Sequence, residues 1–229
     1  MKRFWKDVAV VRDGDAFGIT LDARPVRTPG RTALAVASPM LADAIADEWR
    51  AVEAEIDPRT MPLTGLTNAA IDRIGPDRLP FAQGLARYAE SDLLCYRAEL
   101  PEPLVLRQRA AWDPLLDWAR TRYDVHFETT VGVMPTPQPR ATLARLGDAV
   151  AARSAFELAG LSPVVTVTGS LVLALALIEG AADADAIWHA ARIDDDWQVE
   201  MWGEDHLAAQ TTAAHRADFD AGVRFLSLL

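Results

Sequence analysis

The residues best placed to do chemistry fall in one run, "RIDDDWQVEMWGED", residues 192–205. Asp194, Asp195, Asp196, Glu200, Glu204 and Asp205 crowd around Trp197, Met201 and Trp202. Two uses fit that mixture. Carboxylates gathered at one point, with His206 just beyond, would hold a metal or form an acid–base pair, provided their pKa values are driven apart. Acids interleaved with large apolar side chains also make a protein-recognition surface, because Trp and Met are favoured where apolar faces meet a partner.

Spacing bears on the choice. On a helix, Asp196, Glu200 and Glu204 stand at i, i+4 and i+8. Like charges at that spacing repel by about 0.2–0.5 kcal/mol per pair. Ile193, Trp197 and Met201 form the neighbouring stripe. Asp194–Asp196 suit a helix N-terminus, through capping and the macrodipole, and need no further role. Glu200 and Glu204 are not explained that way. Residues 193–215 contain no Lys or Arg, so their neutralising cations come from elsewhere in the chain or from a partner. The histidines, His126, His189, His206 and His215, form no H-E-x-x-H, and His206 lacks the ligand spacing of a zinc site. The docking reading names Asp195, Asp196, Trp197, Glu200, Met201, Trp202, Glu204 and Asp205 as partner-binding. The alternative is a carboxylate-dependent enzyme or metalloprotein built on residues 194–206, with Asp195, Asp196, Glu200 and His206 in the centre.

Other chemistries are excluded by what the chain lacks. No lysine follows Lys6, so there is no G-x-x-x-x-G-K-[ST] loop to cradle a nucleotide's phosphates. There is no G-x-G-x-x-G after a strand and no G-x-S-x-G elbow. A formal net charge of −10 argues against nucleic acid and against an anionic membrane surface. Cys95 is the single cysteine and sits in the apolar "DLLCYRA", which reads as core. The start, "MKRFWKDVAV", has no apolar signal region, and the longest apolar run, Val164–Gly180, is interrupted by Thr, Gly and Ser. The expectation is a cytoplasmic protein with no membrane insertion and no nucleic-acid partner.

Two textures position these residues. From Phe4 to about Val36 the chain alternates β-prone runs with turn signals, including Asp13-Gly14. From Ser38-Pro39, an N-cap followed by proline at the first helical position, the pattern turns helical, with Leu41, Ile45, Trp49, Val52 and Ile56 on one stripe. Glu48 lies beside that stripe and reads as a solvated edge residue. Further helices are expected over Phe81–Arg97 and Ala141–Ala159, and over "RQRAAWDPLLDWARTRYDV", whose second part begins after Asp113-Pro114. Leu171–Glu179, opened by Gly169-Ser170, is the most hydrophobic helix and is expected at the centre of the core. The stretch from Asp183 to Leu229 reads as helical with a break at Gly203. The fold class is α+β by segregation: a small antiparallel β domain over residues 1–37, then an α-helical domain over residues 38–229.

An ordered set of motifs carries a resemblance. They are "LDARPVRTPGR" (21–31), "LADAIADEWRA" (41–51), "MPLTGLTNAAID" (61–72), "SDLLCYRA" (91–98), "WDPLLDWA" (112–119), "GSLVLALAL" (169–177) and "DDDWQVEMWGED" (194–205). Together they resemble the "ATP-twelve" family, assembly chaperones of the F-type ATP synthase that bind its alpha subunit. The resemblance implies a β domain followed by a helical domain, with no catalysis and no cofactor. It implies binding of the unassembled alpha subunit, shielding the surface that later meets the beta subunit. It also implies that an acidic residue within Asp195–Asp205 matters, and the charge argument favours Glu200 and Glu204. Two departures stand out. The acidic pair before Trp197 is Asp195-Asp196, where Asp-Glu is usual, and Gly65 and Thr67 stand where an Arg and an Ala are expected.

Overall fold

The computed structural model describes residues 2–132, 134–203 and 205–229. It is an α+β protein, with a small antiparallel sheet at the N-terminus followed by a larger helical region. Two compact units are resolved. The first comprises Met1–Arg78, Ser154–Gly160 and Asp220–Leu229; the second comprises Leu79–Arg153 and Leu161–Phe219. The textural boundary at residue 37 marks where strands give way to helices, and packing draws its units along different lines.

In the first unit, β1 (Val8–Asp13) and β2 (Ala16–Leu21) form a hairpin with Asp13 opposite Ala16. Gly14 takes the left-handed turn conformation, φ +60°, which a side chain would disfavour. On its other side β2 pairs with β3 (Arg24–Pro25) and with β4 (Ala35–Val36). Ile19 and Leu21 point to the buried face, joined by Val26, Leu34 and Val36. Helix α1 (Pro39–Ala51) starts where the sequence predicts, because the Ser38 hydroxyl accepts the Leu41 N–H at 3.3 Å. Its buried stripe, Leu41, Ile45 and Trp49, packs on the sheet, and Trp5 meets Trp49 edge to face at 5.3 Å.

Glu48 is not a solvated edge residue. Its carboxylate accepts the N–H groups of Leu63 and Thr64 at 2.7 and 2.8 Å and the Thr64 hydroxyl at 2.7 Å. It therefore caps α2 (Pro62–Ala69) from outside, satisfying donors that a first helical turn leaves orphaned. A second carboxylate, Asp72, accepts from the Thr28 hydroxyl and the Gly30 N–H, both at 2.7 Å.

In the second unit, the helix expected over Phe81–Arg97 is shorter. α3 (Arg78–Ala86) gives way to tight turns, and Tyr96–Arg97 forms β5, paired in parallel with β6 (Thr130–Val131). α4 (Glu102–Tyr123) runs unbroken through Pro114, although a proline costs the helix a hydrogen bond. Buried Trp112, Leu116 and Ala119 straddle the proline and hold both halves in line. The helix expected over Ala141–Ala159 is two. α5 (Arg140–Ala151) ends in this unit, and α6 (Ala155–Thr168) starts on residues of the first unit, at a reciprocal capping box in which the Ser154 N–H donates to Glu157 at 2.8 Å and the Glu157 N–H donates to Ser154 Oγ at 3.1 Å.

α7 (Leu171–Ile178) lies at the centre of the core, with Leu171–Ala176 fully buried. Its start is fixed by the Ser170 Oγ, which accepts the Leu173 N–H at 3.0 Å, and by Asp92. The wholly buried Asp92 accepts from Ser170 Oγ at 2.7 Å, Val172 N–H at 3.0 Å and Leu94 N–H at 3.1 Å. Cys95 is buried beside it, and burial pushes its thiol up to about 12, assisted by the Asp92 charge. Among the described residues no helix is long and apolar enough to cross a membrane.

At the far end of α7, Glu179 accepts from the Tyr123 hydroxyl at 2.8 Å and from Arg122 and Arg153, each at 2.5 Å. Burial pushes its carboxyl up, but Tyr123, Arg122 and Arg153 outweigh that and hold it below its ordinary value of 4.5. A depressed folded pKa stabilises the protein above the unfolded value and is lost as pH falls through the folded one. Glu179→Gln is therefore expected to lower stability near pH 7 by on the order of 1 kcal/mol, after solvent screening. It should also flatten the loss of stability below about pH 4.5 in urea titrations. An acid limb as steep as that of the wild type would refute the assignment.

Candidate partner-binding site

α8 (Ala184–Trp202) and α9 (His206–Ser227) carry the acidic run between them. Asp183 caps α8, accepting the Ala186 N–H at 2.8 Å. The first half of α8 is core: Ile187, Ala190 and Ile193 are buried, and the Trp112 indole N–H of α4 donates to the Ala190 carbonyl at 2.7 Å. Beyond Ile193 the burial fades. Trp197 is half-buried, and every described residue from Gln198 to Ala208 is exposed. The helix stops at Gly203, whose φ of +85° is a conformation that favours glycine. Asp205 then caps α9 through the Ala208 N–H at 3.0 Å.

The tip is apolar where a surface would ordinarily be polar. Trp202 is 77% exposed, Leu207 70% and Met201 51%, with Val199 also exposed. A groove of about 550 Å³ runs beside them, lined by Asp195, Asp196, Val199, Trp202, Asp205 and residues of α9 as far as His215. The carboxylates edge this apolar surface.

Their charge is partly answered within the chain. Arg192 reaches Asp195 at 3.1 Å and Asp196 at 3.2 Å. Arg107, from α4, meets Glu200 at 2.7 Å and lies over the Trp197 ring at 4.9 Å. That hydrogen bond holds the Glu200 carboxyl below the ordinary range and the Arg107 guanidinium above its own. Asp194 faces inward. Burial pushes its carboxyl up against the opposing hydrogen bond from Gln108 at 2.6 Å, and the neighbouring Asp195 adds to the rise. The buried Gln108 uses its other end to accept the Ala98 N–H at 2.8 Å, so it ties α8 to β5's flank.

The structure thus brings Asp195, Asp196, Trp197, Glu200, Met201, Trp202 and Asp205 to one helical tip. Glu204 lies outside the described residues. Sequence reasoning missed Arg192, whose i, i+4 spacing to Asp196 was readable. It also missed Arg107 and Gln108, whose contacts cross more than eighty residues and leave no local signal. Among the described residues no group of three or more His, Cys, Asp or Glu side chains is arranged to hold a metal. Asp195, Asp196 and Glu200 are engaged with arginines.

The fold is α+β by segregation, and the tip of α8 and α9 places exposed apolar side chains beside carboxylates. The particular family follows from comparison: the ATP12 chaperone protein family matches residues 2–120, more than half of the chain, and the chain belongs to it. This is the family of ATP synthase assembly chaperones. The chain is similar to the mitochondrial Protein atp12 of Schizosaccharomyces pombe, at 23% identity over 215 residues, covering 88% of this chain and 74% of that one. It is also similar to the crystal structure of Atp12 from Paracoccus denitrificans, at 41% identity and a TM-score of 0.93, covering 99% and 97% of the two chains. An aspartate-to-lysine mutant of that bacterial protein superposes equally well. The Atu1473 protein of Agrobacterium tumefaciens matches at 40% identity and a TM-score of 0.93, over 99% of this chain and 85% of that one.

Proposed function

We propose that this chain binds the unassembled alpha subunit of the F-type ATP synthase in the cytoplasm and shields its subunit interface until assembly, without catalysing a reaction. The observation that carries the proposal is the tip of α8 and α9, where exposed Trp202, Met201 and Leu207 are edged by Asp195, Asp196, Glu200 and Asp205. A free subunit exposes an apolar interface that invites aggregation. A chaperone must cover that surface and later release it. A compact apolar anchor supplies affinity, and rim carboxylates set encounter rate and register with a basic client surface.

Co-expression with the alpha subunit is expected to yield a complex that co-purifies. Trp202→Ala is expected to weaken it by about 2 kcal/mol, roughly 30-fold, as for a central aromatic anchor. Glu200→Lys should slow association most at low salt, where exposed charges are least screened. No complex at micromolar concentrations of both proteins would refute the reading. Full affinity in Trp202→Ala would remove the tip from it.

A further inference from the structure

The second unit contains a groove of about 370 Å³ between α4 and the β5–β6 pair, away from the exposed apolar tip. Its lining carries three guanidiniums, Arg97, Arg109 and Arg120, against two carboxylates, Asp113 and Asp117. Both carboxylates are engaged: Asp113 holds Arg97 at 2.8 Å and Asp117 holds Arg120 at 2.6 Å. Arg109 has no ion pair or hydrogen bond among the described residues. The groove therefore keeps one positive charge in excess, in a chain whose formal net charge is −10.

The strand beside it is open. The Gly132 N–H donates to the Arg97 carbonyl at 2.9 Å, and Arg97 stands opposite Val131 in the parallel register. Successive residues of a strand turn their backbone groups to opposite sides. The Val131 N–H and C=O thus point away from β5, toward the free edge of a two-stranded sheet. Val131 is 59% exposed, and an unpaired edge of this kind is a template for a further strand. Residues opposite one another share a face. The Val131 side chain therefore stands on the face from which Arg97 reaches Asp113 of α4, as would a residue opposite Val131 on an added strand.

We infer that the free edge of β6 takes an extended acidic segment of the alpha subunit, whose backbone pairs with Val131 and whose carboxylate enters the groove onto Arg109. The inference rests on the alpha-subunit reading above. Main-chain pairing at a sheet edge supplies affinity, and the side-chain groove supplies selectivity. Charge selects the occupant. One guanidinium in excess suits a single carboxylate, which Arg binds through two parallel hydrogen bonds. A doubly charged phosphate would face Asp113 and Asp117. The groove also adjoins the support of the tip, because Gln108, which lines it, donates to Asp194 of α8 at 2.6 Å. An acid-edged tip and a groove with excess positive charge on the same unit together fix which way round the client lies, since the reverse orientation sets like charges against each other.

The test is affinity for the purified alpha subunit, measured for the wild type, Arg109→Glu, Arg140→Glu and Val131→Pro. Arg109 and Arg140 are both exposed, so neither charge reversal should disturb the fold. Arg109→Glu is expected to bind at least about tenfold more weakly. Arg140→Glu makes the same change in net charge outside the groove, and is expected to bind within about twofold of the wild type. Val131→Pro removes one N–H on the open side of an edge strand, where proline is tolerated, and is expected to bind at least about fivefold more weakly. If Val131→Pro loses its cooperative thermal transition, the two arginine variants decide alone. Unchanged affinity in Arg109→Glu or in folded Val131→Pro overturns this inference and leaves the tip reading standing. So does an equal loss in Arg140→Glu, or self-association of the protein that Val131→Pro abolishes, which would give the edge to a second copy. A wild-type protein that does not bind the alpha subunit overturns both readings.

Discussion

Asp92→Ala is expected to destabilise the protein by about 3–5 kcal/mol, because three buried donors lose their acceptor at about 1–3 kcal/mol each, offset by partial relaxation. The donors are the Ser170 hydroxyl and the Leu94 and Val172 N–H groups, all within 3.1 Å of a carboxylate with no solvent exposure. Ser170 and Val172 sit at the start of α7, so much of the loss falls on the most buried helix of the second unit. The pH dependence has a definite sign. Burial pushes the Asp92 carboxyl up, against the opposing hydrogen bonds from Val172, Ser170 and Leu94. A raised folded pKa contributes stability that is fully present below the unfolded value, 3.8, and declines as pH rises through the folded one. The gap between wild type and Asp92→Ala should therefore be widest in acid and narrow as pH rises. Asp92→Asn keeps one acceptor oxygen and should lose less than Asp92→Ala; since neither variant titrates at this position, its gap to the wild type should narrow with pH in the same way. Urea unfolding of all three proteins across pH reads both effects. A loss below about 1 kcal/mol in Asp92→Ala at every pH would show that the carboxylate does not anchor α7.

Trp112→Ala is expected to cost about 3–5 kcal/mol as a large-to-small core change. It should also weaken the proposed alpha-subunit binding beyond what the stability loss accounts for. Trp112 is fully buried, donates to the Ala190 carbonyl of α8, and lies beneath the Arg97 guanidinium at 5.2 Å. α8 is the helix that carries the tip, so this tryptophan acts as a positioning residue for it. Trp112→Phe retains most of the apolar contact and loses the hydrogen bond, for about 1–2 kcal/mol. Denaturant midpoints, with binding measured well below them where all variants are folded, separate the two effects. If Trp112→Ala, still folded, binds the alpha subunit with unchanged affinity, α8 is held by other contacts and the positioning role falls.

Legibility in the sequence followed the range of the interaction. The Asp13-Gly14 turn, the Ser38-Pro39 and Ser170 helix starts, the buried Leu171–Ile178 helix and the stop at Gly203 each depend on a few adjacent residues. The S-x-x-E box at Ser154–Glu157 is equally local, and it is what separates α6 from α5 within the single helix that the hydrophobic pattern suggests. Pro114 misled in the other direction: a local helix-breaking rule was overridden by buried Trp112, Leu116 and Ala119, which face the core from both sides of it. Glu48 reads as solvated in the sequence because nothing nearby asks for a carboxylate. Its partners begin fifteen residues away, at the start of another helix.

By itself the sequence determined the α+β segregation, the family and the acid–apolar composition of residues 192–205, because these reside in local pattern and residue order. It left open how the acids are satisfied. Only the tertiary structure brought Arg107 against Glu200 and Trp197, turned Asp194 inward onto Gln108, and left Met201, Trp202 and Leu207 exposed at the tip. The reason is physical. Charge pairing and burial depend on distances of a few ångströms between residues far apart in the chain, and those distances exist only once α4 and α8 have packed.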